Sequence, residues 1–176
     1  MWGDITREPK RTNRFILVAD GLEAFAVQDV TLPKMDVGEA KVDFVSHQFW
    51  YPGKVTWQDV TMTLVDAIDP NTSDMIMNII RQAGYQFPVT DQLEVPELEA
   101  GSPYVTSFSK QLFNIATGEV GIRTIDFMGD GIDEWWLRNA WIKNVSPGDL
   151  TMADANILNI KLTFKYDWAE YRNLRA

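Results

Sequence analysis

The carboxylates Asp126, Asp130, Asp133 and Glu134 fall within nine positions, in the run Asp-Phe-Met-Gly-Asp-Gly-Ile-Asp-Glu. Oxygen ligands at that density suit a hard cation such as calcium. A pair of carboxylates is also the machinery of glycoside hydrolysis, where the separation in space decides the outcome. The spacing does not match the twelve-residue EF-hand loop, however, and Gly-Asp-Gly is ordinary turn chemistry. His47 is the sole histidine, so an imidazole-based zinc site lacks its other ligands. The chain has no cysteine, which removes disulfides, thiolate ligands and thiol nucleophiles. There is no G-x-S-x-G elbow, no phosphate-binding loop and no G-x-G-x-x-G. No catalytic, cofactor or metal site is expected, and His47 is expected to be exposed and structurally incidental.

Composition narrows the classes further. With 176 residues, 45% of them hydrophobic, one domain with a sizeable core is expected over residues 1–176. Sixteen Lys and Arg against 25 Asp and Glu leave a formal net charge of −9. That balance opposes tight nonspecific binding to nucleic acid, which needs cations to displace counterions from phosphate, and it favours solubility. Met1 to Arg14 is polar and lacks the apolar stretch of a signal peptide, and no apolar run reaches the ~20 residues that span a bilayer. A soluble, unexported protein in a reducing setting is the expectation. Seven Trp predict extensive burial, in the core or against other chains.

The elements that must position these residues are mostly strands. From Leu158 to Trp168, Leu158, Ile160, Leu162, Phe164, Tyr166 and Trp168 alternate with polar residues, which predicts a long antiparallel strand over 156–168 with one dry face. Residues 1–12 read as a flexible arm, and Asn13 to Ala19 as a short strand. A turn at Asp20-Gly21 leads to a returning strand over Phe25 to Leu32. Gly38 to Gln48 alternates, with Ala40, Val42, Phe44 and Ser46 on one face and Glu39, Lys41, Asp43 and His47 on the other. Phe49-Trp50-Tyr51-Pro52-Gly53 follows as a turn carrying three aromatics, either folded over its own core or presented for binding.

Trp57 to Val65 reads as a strand with Val60, Met62 and Leu64 inward. Asn71, Thr72 and Ser73 then supply helix caps and Asp74 suits the helix N-terminus. Met75, Ile76, Ile79, Ile80 and Ala83 keep helical spacing up to Gly84, which predicts the chain's one helix. Residues 85–103, rich in Pro and carboxylates, predict a long exposed loop. Thr106 to Ala116, Ile122 to Met128 and Trp135 to Val145 read as strands, with turns at Thr117-Gly118, Asp130-Gly131 and Pro147-Gly148. Residues 169–176 form a C-terminal tail. The sum is a mainly β domain of about seven to nine antiparallel strands with one flanking α-helix.

Taken in order, these segments resemble the major tail tube proteins of contractile-tailed bacteriophages, including those of T-even-like phages. The matching features are Asn13-Arg14-Phe15 opening the first strand and Thr31-Leu32-Pro33 closing the second. A long hairpin leads into Trp57-Gln58-Asp59-Val60-Thr61-Met62-Thr63-Leu64, and the capped helix follows. Trp141 to Leu150 and the closing Phe164-Lys165-Tyr166-Asp167-Trp168 complete the match. The resemblance spans about Asn13 to Trp168. It departs at 85–103, around Asp130 to Trp136 and at the tail.

The resemblance implies an antiparallel β-sandwich or barrel-like subunit, six of which form a ring. Stacked rings would make a tube whose continuous inner barrel conducts DNA without gripping it. It implies partners as well: further copies of the chain, the sheath, the baseplate and the tail terminator. Such a protein is assembled in the host cytoplasm and resides in the virion, and the tube protein of type VI secretion is its more distant relative. On this basis Gly38 to Lys54 is the hairpin that contacts a neighbouring ring. Phe49, Trp50 and Tyr51 are its contact residues, and Glu39 and Asp43 are candidates for the channel lining. Another class stays open, a small-molecule-binding β-barrel of lipocalin type in which Trp135, Trp136 and Trp141 line the cavity. A carboxylate-based hydrolase is the third.

Overall fold

A computed structural model describes residues 8–19, 27–85, 107–153 and 155–175. The strands in chain order are β1 (Phe15–Ala19), β2 (Val27–Val30), β3 (Met35–Phe44), β4 (His47–Trp57) and β5 (Val60–Val65). After the helices α1 (Thr72–Gln82) and α2 (Lys110–Thr117) come β6 (Val120–Ile125), β7 (Gly131–Arg138), β8 (Trp141–Pro147), β9 (Asn159–Lys165) and β10 (Trp168–Asn173). They make two four-stranded antiparallel sheets, ordered β1-β6-β7-β10 and β2-β5-β9-β8, and a separate two-stranded sheet, the β3–β4 hairpin.

The period-2 pattern on β5 and β9 explains the core. Val60 lies opposite Phe164, Met62 opposite Leu162 and Leu64 opposite Ile160, and all six side chains are buried. The other sheet contributes Leu17, Val120, Ile122 and Leu137 to the same apolar cluster, and α1 adds Ile76, Ile79 and Ala83. A glycine at 121 matters here because Trp136, its cross-strand partner, lays its ring over that position; a Cβ would sit 3.0 Å from the indole. The Asn71 side chain caps α1 by accepting the Asp74 N–H at 2.9 Å, and Thr72 Oγ1 donates to the Val65 carbonyl. Past its C-terminus Gly84 takes φ +107°, a conformation that disfavours residues with a Cβ.

Several expectations need correction. Residues 156–168 are not one strand. The chain leaves β9 after Lys165, crosses at Tyr166-Asp167 to the opposite sheet and continues as β10, so Trp168 is exposed and part of the tail 169–176 is an edge strand paired with β7. Trp135 to Val145 is likewise two strands in different sheets, divided at Asn139, whose φ is +55°. The two crossings are stitched together. Asn139 Nδ2 donates to Asp167 at 2.7 Å, Lys110 Nζ donates to the same carboxylate at 2.6 Å, and the Asp167 N–H reaches the Arg138 carbonyl. Those side-chain bonds, Lys110 first, hold the Asp167 carboxyl below its ordinary range.

Thr106 to Ala116 is not a strand: Lys110–Thr117 is a second helix, whose Phe113 and Thr117 are buried at i and i+4, with Gly118 at its C-cap. β1 and β2 do not form a hairpin, since β1 pairs with β6 and β2 with β5. The predicted turn at Asp20-Gly21, most of the 85–103 loop and residues 1–7 of the arm lie outside the described residues.

Because Leu162 faces Met62 with no solvent contact, Leu162→Ala should lower the unfolding free energy by about 2–5 kcal/mol. Leu150→Ala, at a largely exposed position, should change it by no more than about 0.5 kcal/mol, both read by chemical denaturation.

Candidate functional site

The feature left over once the sandwich is built is the β3–β4 hairpin. Its root is fastened to the body: Trp57 packs on Tyr166 with ring centroids 6.1 Å apart, the Gln58 N–H donates to the Lys34 carbonyl, and Gln58 Nε2 donates to Asp36. Beneath it, Asp59 takes Lys143 at 2.6 Å and Lys165 at 2.9 Å, which keep its carboxyl below the usual range. Beyond the root, every residue from Met35 to Thr56 is exposed. A two-stranded hairpin is marginal in water, and this one carries Val42, Phe44, Phe49, Trp50, Tyr51 and Val55 half exposed or more.

The turn is at Val45-Ser46, not at the aromatic run; Phe49, Trp50 and Tyr51 lie within β4, opposite Val42, Lys41 and Ala40. Strand geometry therefore splits the three rings. Phe49 and Tyr51 share a face with Ala40, Val42, Phe44 and His47. Trp50 shares the other with Glu39, Lys41, Asp43 and Gln48. His47 thus belongs to the apolar face rather than the polar one. Glu39 and Asp43 do occupy one face, separated by Lys41, whose Nζ is 3.0 Å from Asp43.

The acidic run disperses its carboxylates. Asp126 accepts the Met128 and Asp130 N–H groups at 2.7 and 3.0 Å and pairs with Arg175, which is turn chemistry. Asp133 and Glu134 are buried on opposite sides of β7. Glu134 meets Arg123 at 2.9 Å, while Asp133 accepts from Lys10, Thr124 Oγ1 and, at 3.2 Å, the Tyr171 hydroxyl. Burial alone would raise the Asp133 carboxyl, but these donors outweigh it and hold it below the ordinary carboxylate range. Among the described residues no His, Cys, Asp and Glu group gathers to hold a metal.

The three tryptophans do not share a cavity either. Trp135 packs on Tyr171, Trp136 covers Gly121, and Trp141 lies against Phe113. Trp141 ends a series of ring contacts, Tyr85–Phe108–Phe113–Trp141, stacked as far as Phe113 and tilted at Trp141, and Phe108, Phe113 and Trp141 line an apolar groove of about 520 Å³ beside β8. Among the described residues, the outer strands β1 and β10 of one sheet and β2 and β8 of the other have no further strand beside them.

No protein-family model and no curated protein matches the sequence. Solved structures do. A chain in the sheath–tube complex of the extracellular contractile injection system PVC superposes with a TM-score of 0.66 at 14% identity, covering 94% of this chain and 93% of that one. A chain in the tube-terminating cap of the anti-feeding prophage gives 0.66 at 13% identity, covering 95% and 93%. This chain has the tail-tube fold. A type six secretion system protein shares it more distantly, with a TM-score of 0.50 at 9% identity over 90% of this chain and 82% of that one. The tail-tube fold replaces the lipocalin-type barrel as the architecture. The sequence alone could have located the hairpin's turn, because Ala40, Val42 and Phe44 match Tyr51, Phe49 and His47 only if the chain reverses at Val45-Ser46.

A carboxyl held below its unfolded value stabilises the fold above that value and loses the contribution as pH falls through its folded value. Asp133→Asn should therefore melt below the parent at neutral pH. The gap should narrow as the pH falls below about 4, where the unfolded chain's carboxyl takes up its proton, and close only below the lower value of the folded carboxyl; thermal melts across pH check this.

Proposed function

We propose that the chain is a structural tube subunit: copies form rings, six to a ring, that stack head to tail into the tube of a contractile tail or injection particle. The observation that carries this is the β3–β4 hairpin, a long two-stranded arm with apolar residues exposed on both faces, on a fold shared with components of contractile injection systems. A monomer has no use for such an arm, whereas a heterologous contact that closes makes rings and one that repeats makes tubes. The outer strands, which have no neighbour among the described residues, support it too, since sheet edges become joints when copies meet.

The sheath, the baseplate and a terminating cap are the further partners in this reading. The cargo is DNA in a phage virion, assembled in the host cytoplasm. A net charge of −9 suits a conduit for DNA, because an acidic wall repels phosphate and lets the polymer slide. Glu39 and Asp43 are the proposed lining, with Lys41 moderating their field. The role requires no enzyme activity and no cofactor.

Negative-stain electron microscopy of the concentrated protein tests the assembly: rings or tubes with a central hole are expected, and a uniform monomer even with an initiating baseplate complex present would refute it. Phe49→Ala should reduce the yield of sedimentable tubes several-fold, with the circular dichroism of the monomer unchanged, since the ring lies outside the core. Loss of the monomer's fold would instead place Phe49 in the core.

A further inference from the structure

The hairpin does not keep one apolar face along its length. Near the root, Met35 lies opposite Trp57 and Val37 opposite Val55, so the face that Trp57 seats against Tyr166 is apolar, while Asp36 and Thr56 occupy the other. The register then slips by one residue between Val37 and Glu39. Gly53 and Lys54 of β4 together oppose Gly38, forming a β-bulge. Past it, the face continuing from Met35 and Val37 carries Glu39, Lys41, Asp43, Gln48 and Trp50. The opposite face carries Val42, Phe44, Phe49 and Tyr51.

Both strands change together. Apolar residues on β3 move from odd to even positions at the slip, and the extra residue on β4 turns its odd-numbered series over at the same level. Glycines at 38 and 53 permit the close approach there, since a Cβ on Gly53 would lie 3.0 Å from the Gly38 backbone.

We propose that this bulge makes the hairpin bifacial: its root turns apolar surface toward its own subunit, and its outer half turns apolar surface the other way, onto a second copy of this chain. The face bearing Glu39, Lys41, Asp43 and Trp50 stays wetted. This rests on the tube reading and specifies which face of the hairpin makes the joint. Area supports a macromolecular partner, because Val42, Phe44, Val45, Phe49 and Tyr51 together expose on the order of 500 Å² of apolar surface, more than half of the roughly 800 Å² one partner buries in a standard interface.

The tip points the same way. Val45 is 93% exposed at φ +53°, a backbone state that costs a β-branched residue energy and that Asn or Gly would adopt freely while tolerating water. An apolar residue kept there at that cost is explained by a contact. A second copy suits the uncharged character of the distal face, whose polar member is His47, because a chain of net charge −9 avoids self-repulsion by joining through its uncharged surface.

The absence of cysteine makes the test direct. Val42→Cys and Asp43→Cys put single thiols on adjacent residues of opposite faces, and Ala40→Cys and Glu39→Cys repeat the comparison one pair nearer the root. Maleimide labelling rates are measured for each in dispersed protein and in sedimented tubes. Labelling at 40 and 42 should slow by roughly tenfold or more on assembly, and labelling at 39 and 43 by no more than about twofold, because thiol reactivity follows exposure. Tubes in which 39 and 43 are protected, or in which neither face or both faces are, overturn the assignment and leave the tube reading standing. If the unsubstituted chain forms no tubes with an initiating complex present, the tube reading fails and the assignment fails with it.

Discussion

The side chains of Val60, Met62 and Leu64 meet those of Phe164, Leu162 and Ile160 across a single strand pair, and the rest of the molecule is arranged to keep that seam dry. One sheet supplies the seam, the facing sheet roofs it with Leu17, Ile122 and Leu137, and α1 closes it with Ile76 and Ile79. Burial of such side chains is the main favourable term in a fold this size, so sheet order and crossings follow from where the six residues have to be. The chain changes sheets at Asn139 and again at Asp167, and the hydrogen bond between those two residues, with that from the Asp167 N–H to the Arg138 carbonyl, holds both corners at one place.

What a period-2 pattern reports is which side of a strand is dry, and here it reported that well. The inward residues of β5 and of β9 stood out by alternation alone, and the cap at Asn71 with the stop at Gly84 bounded α1 to within a residue or two. The pattern does not report which sheet a strand belongs to. Tyr166 and Trp168 continue the alternation of β9 although the chain has already turned into the other layer, and Trp135 to Val145 hides a crossing in the same way. The helix α2 was missed because Phe108, Phe113 and Ile115 have strand character taken singly, while the informative spacing was Phe113 to Thr117 followed by Gly118.

The hairpin was legible as an element but not in its geometry. Phe49, Trp50 and Tyr51 looked like a cluster because they are consecutive, yet consecutive residues on a strand point to opposite sides. Once they are divided, the outer half of the hairpin has one face for packing and one for water. The chain's fold is one it shares with chains solved within contractile injection systems.

The ring series Tyr85–Phe108–Phe113–Trp141 also fixes the two points between which residues 86–106 run. Tyr85 and Phe108 stack with centroids 5.4 Å apart, and the Ser109 N–H donates to the Ala83 carbonyl at 3.2 Å. With these two points joined, lengthening the connection between them costs only about 0.6 kcal/mol per doubling of length. The molecule therefore has a socket at which an insert of different length and sequence can be exchanged without retuning the core, which makes it the natural place for this chain to diversify.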